Sequence, residues 1–447
     1  MTSAEEGFAG LSATEAVAEM ARGAISAEEY TRACLARILA VEGDVKAFAH
    51  LDPAHALAQA RRCDEWRQTG RTLGALHGVP VGIKDIFDTA DYPTECGSPL
   101  MAGRRPQRDA AAVARLRAAG AVIIGKTVTT EFAYYHPGPT RNPHDPTRTP
   151  GGSSSGSAAA VGAAMVPLAI GSQTNGSVIR PASYCGVYGA KPSHGTISRR
   201  GVLTLSRTLD HVGVFAGSLA DAALILGVLA GHDPDDDDTR AVPAPAFVET
   251  AGAEPPVPPR FAFVRTPVWE KADAETRAAF ESLAESLGER TREVGLPEPY
   301  GAAWDDHRVI MAAEMAHNLG PLVDRGGEAS SQTLRDLLAE GRQVKAVDYL
   351  AAREQARRYA AGIAEIFTEF DAIITPATTG VAPGAETTGN PLFCSLWTLT
   401  GLPALSLPLL TGDGGLPLGV QLIGEFGDDA RLLRTANWLI ERAVPPS

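Results

Sequence analysis

Cysteine is scarce and scattered in this chain. Five cysteines, Cys34, Cys63, Cys96, Cys185 and Cys394, are spread over 447 residues. Their number is odd and no two form a CxxC pair, so their spacing supports neither a disulfide framework nor a zinc site. Long basic runs are missing too, and the formal net charge is −13. That argues against a nucleic-acid groove, while leaving open docking on another protein that holds RNA. The N-terminus, MTSAEEGFAGLSATEAVAEM, is acidic and lacks an apolar h-region. It does not read as a signal peptide. Together these absences predict a cytoplasmic protein of a reducing compartment, with no nucleic-acid and no membrane partner.

Charge itself is missing from one stretch. Between Arg148 and Arg180, the span from Thr149 to Ile179 carries no charged residue. It is long enough for a membrane crossing. However, Pro150, Pro167 and many Gly and Ser interrupt it, and large apolar side chains are few, so it reads as buried core. Two serine- and glycine-rich segments, GGSSSGS and GSQTNGS, lie inside this least charged region, and neither contains a histidine.

What is present is ordinary globular composition, 44% hydrophobic and 21% charged. A chain of this length can bury a large core without staples. Leu11 to Leu39 reads as two helices with Ser12 and Ser26 as N-caps. His55 to Thr69, Asp109 to Ala119 and Ser157 to Met165 read as further helices. The β-branched run around Lys84, AVII (Ala121 to Ile124), VPLAI, FAFVR, DAIITPAT, ALSLPLL and LGVQLIG read as strands. Asp273 to Val294 reads as a helix with a charged face, helices continue to about Phe370, and DDARLLRTANWLIERA forms an amphipathic C-terminal helix. This alternation predicts an α/β core with helices covering a sheet. The acidic, proline-rich stretch from Gly231 reads as an exposed loop with solvated carboxylates.

Three motifs bear on chemistry. GAVIIGKT, from Gly120 to Thr127, fits the Walker A expression. A phosphate cradle needs a flexible loop with inward N–H groups, and Ala-Val-Ile-Ile favours a strand instead. GSSSG fits a nucleophile elbow at Ser154. The elbow must follow a strand, and TRNPHDPTRTPG before it is turn chemistry. His194, His211, His307 and His317 lie downstream in no distinctive setting. The third reading pairs a serine nucleophile with a lysine base. Lysine acts as a base when burial keeps it neutral. Lys84, at the end of GVPVGIKD, could face the uncharged span, although a lysine at a strand end is more commonly a snorkelling surface residue.

The segment GGSSSGSAAAVGAAMVPLAIGSQTNGSVIRPASYCGVYGAKPSHG, with VGIKD around Lys84, resembles the amidase signature family. DAIITPAT, TGLPALSLPL and LPLGVQLIG resemble its C-terminal part. The resemblance covers nearly the whole chain and is weakest from about Gly231 to Asp371. It implies an α/β fold with a central mixed β-sheet covered by helices on both faces, in one amidase signature domain over residues 1–447, with N-terminal helices in 1–70 and a more variable helical and loop region in about 231–371. It also implies a Ser-cisSer-Lys triad: Ser177 as nucleophile, Ser153 as bridge, Lys84 as base, and a cis peptide between Gly152 and Ser153. Backbone N–H groups of Thr174, Asn175, Gly176 and Ser177 would form the oxyanion hole. Ser154 and Ser155 would be supporting hydrogen-bond partners or structural. No metal or cofactor is implied. Many members have Gly-Gly before the nucleophile where this chain has Asn175-Gly176. Asn175 then either caps its own loop or touches substrate.

The resemblance implies hydrolysis of small-molecule amides, and in some members of esters or carbamates. One branch is the glutaminase (A-type) subunit of a tRNA-dependent amidotransferase. Arg180 could hold a substrate carboxylate, with pairing to a buried Asp the favoured alternative. FAYYHP and LFCSLW make Tyr134, Tyr135 and Trp397 candidate substrate contacts, although such clusters more often belong to a core. If they line the cleft, they favour an uncharged aryl or alkyl amide over glutamine. Assembly as a homodimer is left open.

Overall fold

The computed structural model describes residues 7–443. The first six residues of the acidic N-terminus lie outside them. Eleven strands form one mixed sheet: β1 (Phe48–Leu51), β2 (Pro80–Lys84), β3 (Val122–Thr127), β4 (Leu168–Gln173), β5 (Tyr188–Lys191), β6 (His211–Ala216), β7 (Phe261–Arg265), β8 (Thr291–Gly295), β9 (Ala372–Pro376), β10 (Ala404–Thr411) and β11 (Pro417–Ile423). Their order across the sheet is β1-β3-β2-β4-β6-β5-β10-β11-β9-β7-β8, with helices on both sides. Every residue of β2, β3, β4 and β6 is buried. That is the pattern of strands covered on both faces.

Strand β2 runs parallel to both β3 and β4. Its register on β4 pairs Val81 with Leu168, Gly82 with Ala169 and Ile83 with Ile170. The carboxyl ends of the two strands therefore coincide, and Lys84 arrives beside Ser172. The helix Ser155–Gly162 is built of small residues and packs on these strands. Gly156 permits that approach, because a Cβ there would lie 2.2 Å from the Ala47 carbonyl oxygen.

Local signals explain much of the architecture. Ser12 and Ser26 each cap a helix in a full capping box, with Glu15 and Glu29 returning the bond. The span expected as one helix from Asp273 to Val294 is corrected here. The helix ends at Ser286, Gly288 turns with φ 52°, and residues 291–295 become β8. β8 is an edge strand beside β7, and most of its residues are partly or fully exposed, so its charged side chains keep their water.

The acidic run also departs from expectation. It folds back as a buttress: Asp236 and Asp238 both grip Arg199, and Asp233 accepts from Ser198 Oγ at 2.7 Å. Among the described residues all five cysteines are free, no helix is long and apolar enough to cross a membrane, and no His, Cys, Asp or Glu cluster is placed to hold a metal.

Candidate active site

Lys84 ends β2 with its side chain fully buried. Its Nζ donates to Ser153 Oγ at 2.7 Å and to Ser172 Oγ at 2.8 Å. Among the described residues no carboxylate lies within ion-pair distance of it. Burial holds its pKa well below the ordinary 10.5, opposed by the more distant Asp210 and Cys96. The neighbouring buried Lys126, on β3, shows the contrast. Its Nζ lies 3.1 Å from Asp85 and also donates to the carbonyls of Phe87 and Pro93 and to Thr94 Oγ1. The Walker-like lysine is thus spent inside the fold on a strand, with no phosphate cradle around it.

The peptide bond between Gly152 and Ser153 is cis. Ser154 Oγ bonds to the backbone of Ser172, and Ser155 Oγ donates to the Gly151 carbonyl. Both hydroxyls are committed to backbone groups, and among the described residues Ser154 has no histidine partner. The elbow reading therefore has no support in the geometry.

Ser177 follows β4 in the loop before the helix Ile179–Cys185. Ser153 and Ser177 line the same small chamber, and among the described residues no hydrogen bond joins them. The loop is clamped from every side. Gln173 Oε1 accepts from the N–H groups of Val178 and Ile179 at 2.8 and 3.0 Å, while its Nε2 donates to Thr398. Thr174 Oγ1 donates to Asp210 at 2.6 Å, and His307 Nε2 meets the Thr174 carbonyl at 3.0 Å. Asn175 Nδ2 donates to the Tyr135 hydroxyl, Ser395 Oγ donates to Asn175 Oδ1, and Thr398 Oγ1 donates to the Asn175 carbonyl. The N–H groups of Thr174, Asn175, Gly176 and Ser177 make no hydrogen bond to another described residue. Four consecutive N–H groups beside a serine are an arrangement that can receive a developing oxyanion.

Burial shapes the titration of this support. It pushes the Asp210 carboxyl up to about 6, against the hydrogen bonds it accepts from Thr174, Leu205 and Ser206. It pushes the His307 imidazole down to about 4.

Tyr134, Tyr135 and Arg180 line the Ser177 chamber. Arg180 is almost fully buried. Its Nη2 donates to the Gly152 carbonyl at 2.6 Å, whereas Nε and Nη1 have no hydrogen-bond partner among the described residues. The expected buried aspartate is not there: among the described residues Arg180 forms no ion pair. Trp397 is a correction as well. It is fully buried in the core and lines none of the cavities around Ser177. Sequence reasoning set His307 aside and missed Ser172, Gln173, Asp210, Leu205, Met311 and Ser395 as parts of the site. Their places depend on strand register and helix packing rather than on a local motif.

A buried lysine joined to one serine, with a second serine across a small chamber at the ends of parallel strands, is equipment for acyl transfer from an amide. The comparisons agree: this chain belongs to the amidase family, whose model, Amidase, matches residues 29–433. It is 38% identical to the A-type subunit of the glutamyl-tRNA(Gln) amidotransferase of Chloroflexus aurantiacus, over 96% of this chain and 95% of that protein. Among solved structures it is similar to the native peptide amidase of Stenotrophomonas maltophilia, with TM-score 0.85, 30% identity and coverage of 98% and 97% of the two chains. It is also similar to a chain of a vestigial complex bearing on the origins of an s-triazine catabolic enzyme, with TM-score 0.91, 31% identity and coverage of 96% and 98%. The chain is accordingly an amidase-family hydrolase acting on carbon–nitrogen bonds.

Proposed function

We propose that this chain is a free-standing serine amidase that cleaves small to medium aryl or alkyl amides through an acyl-enzyme. The observation that carries the reading is the 2.7 Å bond from the buried Lys84 to Ser153. A lysine held neutral by burial can accept a proton at Nζ. Ser177 Oγ attacks the amide carbonyl and forms a C–O bond as its proton passes to Ser153, whose own proton passes to Lys84. The carbonyl π electrons move onto oxygen, which the N–H groups of Thr174, Asn175, Gly176 and Ser177 receive. Collapse breaks the C–N bond, and the proton returns through Ser153 to the leaving amine. Water then attacks the acyl-enzyme by the same relay and releases the acid. Each well-placed oxyanion donor is worth about 3 kcal/mol in the transition state.

The residues lining the chamber support this substrate class. Tyr134, Tyr135, Leu205 and Met311 offer apolar surface, and the unpartnered N–H groups of Arg180 offer a place for a hydrogen-bond acceptor. Carbamates and esters present the same carbonyl and fall within the same chemistry. A second reading, the glutaminase subunit of a tRNA-dependent amidotransferase, is favoured by the name of the Chloroflexus relative. The similarity to a peptide amidase supports the free-standing reading.

A substrate panel separates the two. The purified chain alone is given primary amides, anilides, esters, carbamates and glutamine, and product release is measured. Hydrolysis of simple amides or anilides by the chain alone is expected. Activity on glutamine that needs added partner subunits and tRNA would overturn the proposal in favour of the second reading.

A further inference from the structure

The chamber around Ser177 is too small for any amide. Its free volume is about 10 Å³, close to the minimum for one water molecule. Immediately outside lies a cleft of about 860 Å³. Met311 lines both spaces, and so do Tyr135 and Asn175. The last two are joined to each other, Asn175 Nδ2 to the Tyr135 hydroxyl at 2.9 Å, and Asn175 is braced from behind by Ser395 at 2.6 Å.

We propose that this pair is a hydrogen-bonded bar across the mouth of the Ser177 chamber, and that it determines which acyl compounds reach the nucleophile. The inference rests on Ser177 as the nucleophile. Three further features fit a bar that moves at Tyr135. Asn175 is held at both ends of its amide and through its carbonyl, so it is the fixed post. Among the described residues Tyr135 has one side-chain hydrogen bond, which holds it to that post, and its side chain is partly exposed. The backbone leading to it takes the left-handed conformation twice in succession, at Phe132 (φ 45°) and Ala133 (φ 56°). Non-glycine residues rarely adopt that conformation, and such strain gathers at functional segments. Phe132 is fully buried and anchors the near side, whereas His136 just beyond the tyrosines is exposed. The Tyr135 ring also lies over the Arg180 guanidinium, 5.9 Å from centroid to Cζ. Swinging the ring aside would both widen the chamber and uncover the unpartnered cation.

The bar also gives Asn175 a role. An amide side chain at this position supplies a post that glycine cannot, so the Asn-Gly sequence before Ser177 couples the nucleophile loop to the width of its own entrance.

Two serine-directed reagents of different size test this without reference to any natural substrate. Labelling of Ser177 by methanesulfonyl fluoride and by phenylmethanesulfonyl fluoride is followed by mass spectrometry in wild type, Asn175→Gly, Tyr135→Phe and Tyr135→Ala. Thermal melting confirms that each variant is folded. Wild type should favour the small reagent. Tyr135→Phe should shrink that preference by about tenfold, the effect of losing one hydrogen bond, and Asn175→Gly, which also loses the Ser395 brace, and Tyr135→Ala should shrink it by at least as much. A preference that stays the same or grows in the folded variants would overturn the bar while leaving Ser177 as nucleophile. If neither reagent labels Ser177 in wild type, the nucleophile assignment fails, and the bar with it.

Discussion

Lys84 and Ser153 meet at 2.7 Å in a site where, among the described residues, the lysine ammonium touches no carboxylate and its other side-chain hydrogen bond goes to Ser172. A buried ammonium without a counter-ion is costly, and losing its proton relieves that cost. The geometry therefore selects the neutral amine, which is the form a base requires. Lys84→Met and Ser153→Ala should each lower kcat by about 10²–10⁴-fold, the usual contribution of a positioned base. Ser172→Ala should act more mildly, because it removes a positioning partner and spares the relay. A drop of about tenfold in kcat with KM nearly unchanged is expected, matching one hydrogen bond. Steady-state kinetics on one amide checks all three.

The pH dependence follows from the same burial. Protonated Lys84 is inactive and neutral Lys84 is active, so kcat/KM should rise with pH through the lysine's pKa. Burial sets that pKa well below 10.5. The acid limb of the profile should accordingly lie well below the ordinary lysine range, with activity already on its plateau where an exposed lysine would still be charged. An acid limb near 10.5 would show that Lys84 is not desolvated as described.

Gln173 holds the start of the nucleophile helix through two backbone N–H groups. Gln173→Ala leaves those donors buried and unpaired, which costs about 1–3 kcal/mol for each group stranded. Urea unfolding should show a loss of at least that size. On the proposed mechanism kcat should fall more than KM rises, since the loop proposed to receive the oxyanion is what loosens.

Lys126 and Asp85 are buried together at 3.1 Å. Removing one partner strands the other charge, so Lys126→Met should cost about 3–5 kcal/mol in unfolding free energy. The double variant Lys126→Met with Asp85→Asn should recover part of that loss. Addition of ATP should leave the melting temperature of wild type unchanged, as expected for a lysine committed to the core.

How much of this is legible in the sequence varies with the range of the interaction. The capping boxes at Ser12 and Ser26 are local, and the structure bears out both caps. The long serine- and glycine-rich motif is specific enough to imply Lys84, Ser153 and Ser177 by resemblance. β8 is hidden because TREVG, following Gly288, continues a charged helical pattern and only its place beside β7 makes it a strand. Ser172 and Asp210 are hidden because each acts across the sheet, through the register of β4 on β2 and the packing of the segment before β6. Trp397 departs from expectation because an apolar helix does not reveal its own facing. Ser395 and Thr398 are three residues apart and share the face that meets Asn175, while Trp397, two residues after Ser395, turns to the core. Arg180 is expected to meet an aspartate, and the structure gives it the Gly152 carbonyl instead.

The central claim is that Ser177 carries the acyl group. The direct measurement is intact-protein and peptide mass spectrometry of the purified chain quenched during turnover of an amide, alongside Ser177→Ala. An acyl mass on Ser177 in wild type, and loss of both the adduct and product release in the variant, is the predicted result. Continued hydrolysis by Ser177→Ala, or an acyl group found on another residue, would contradict it.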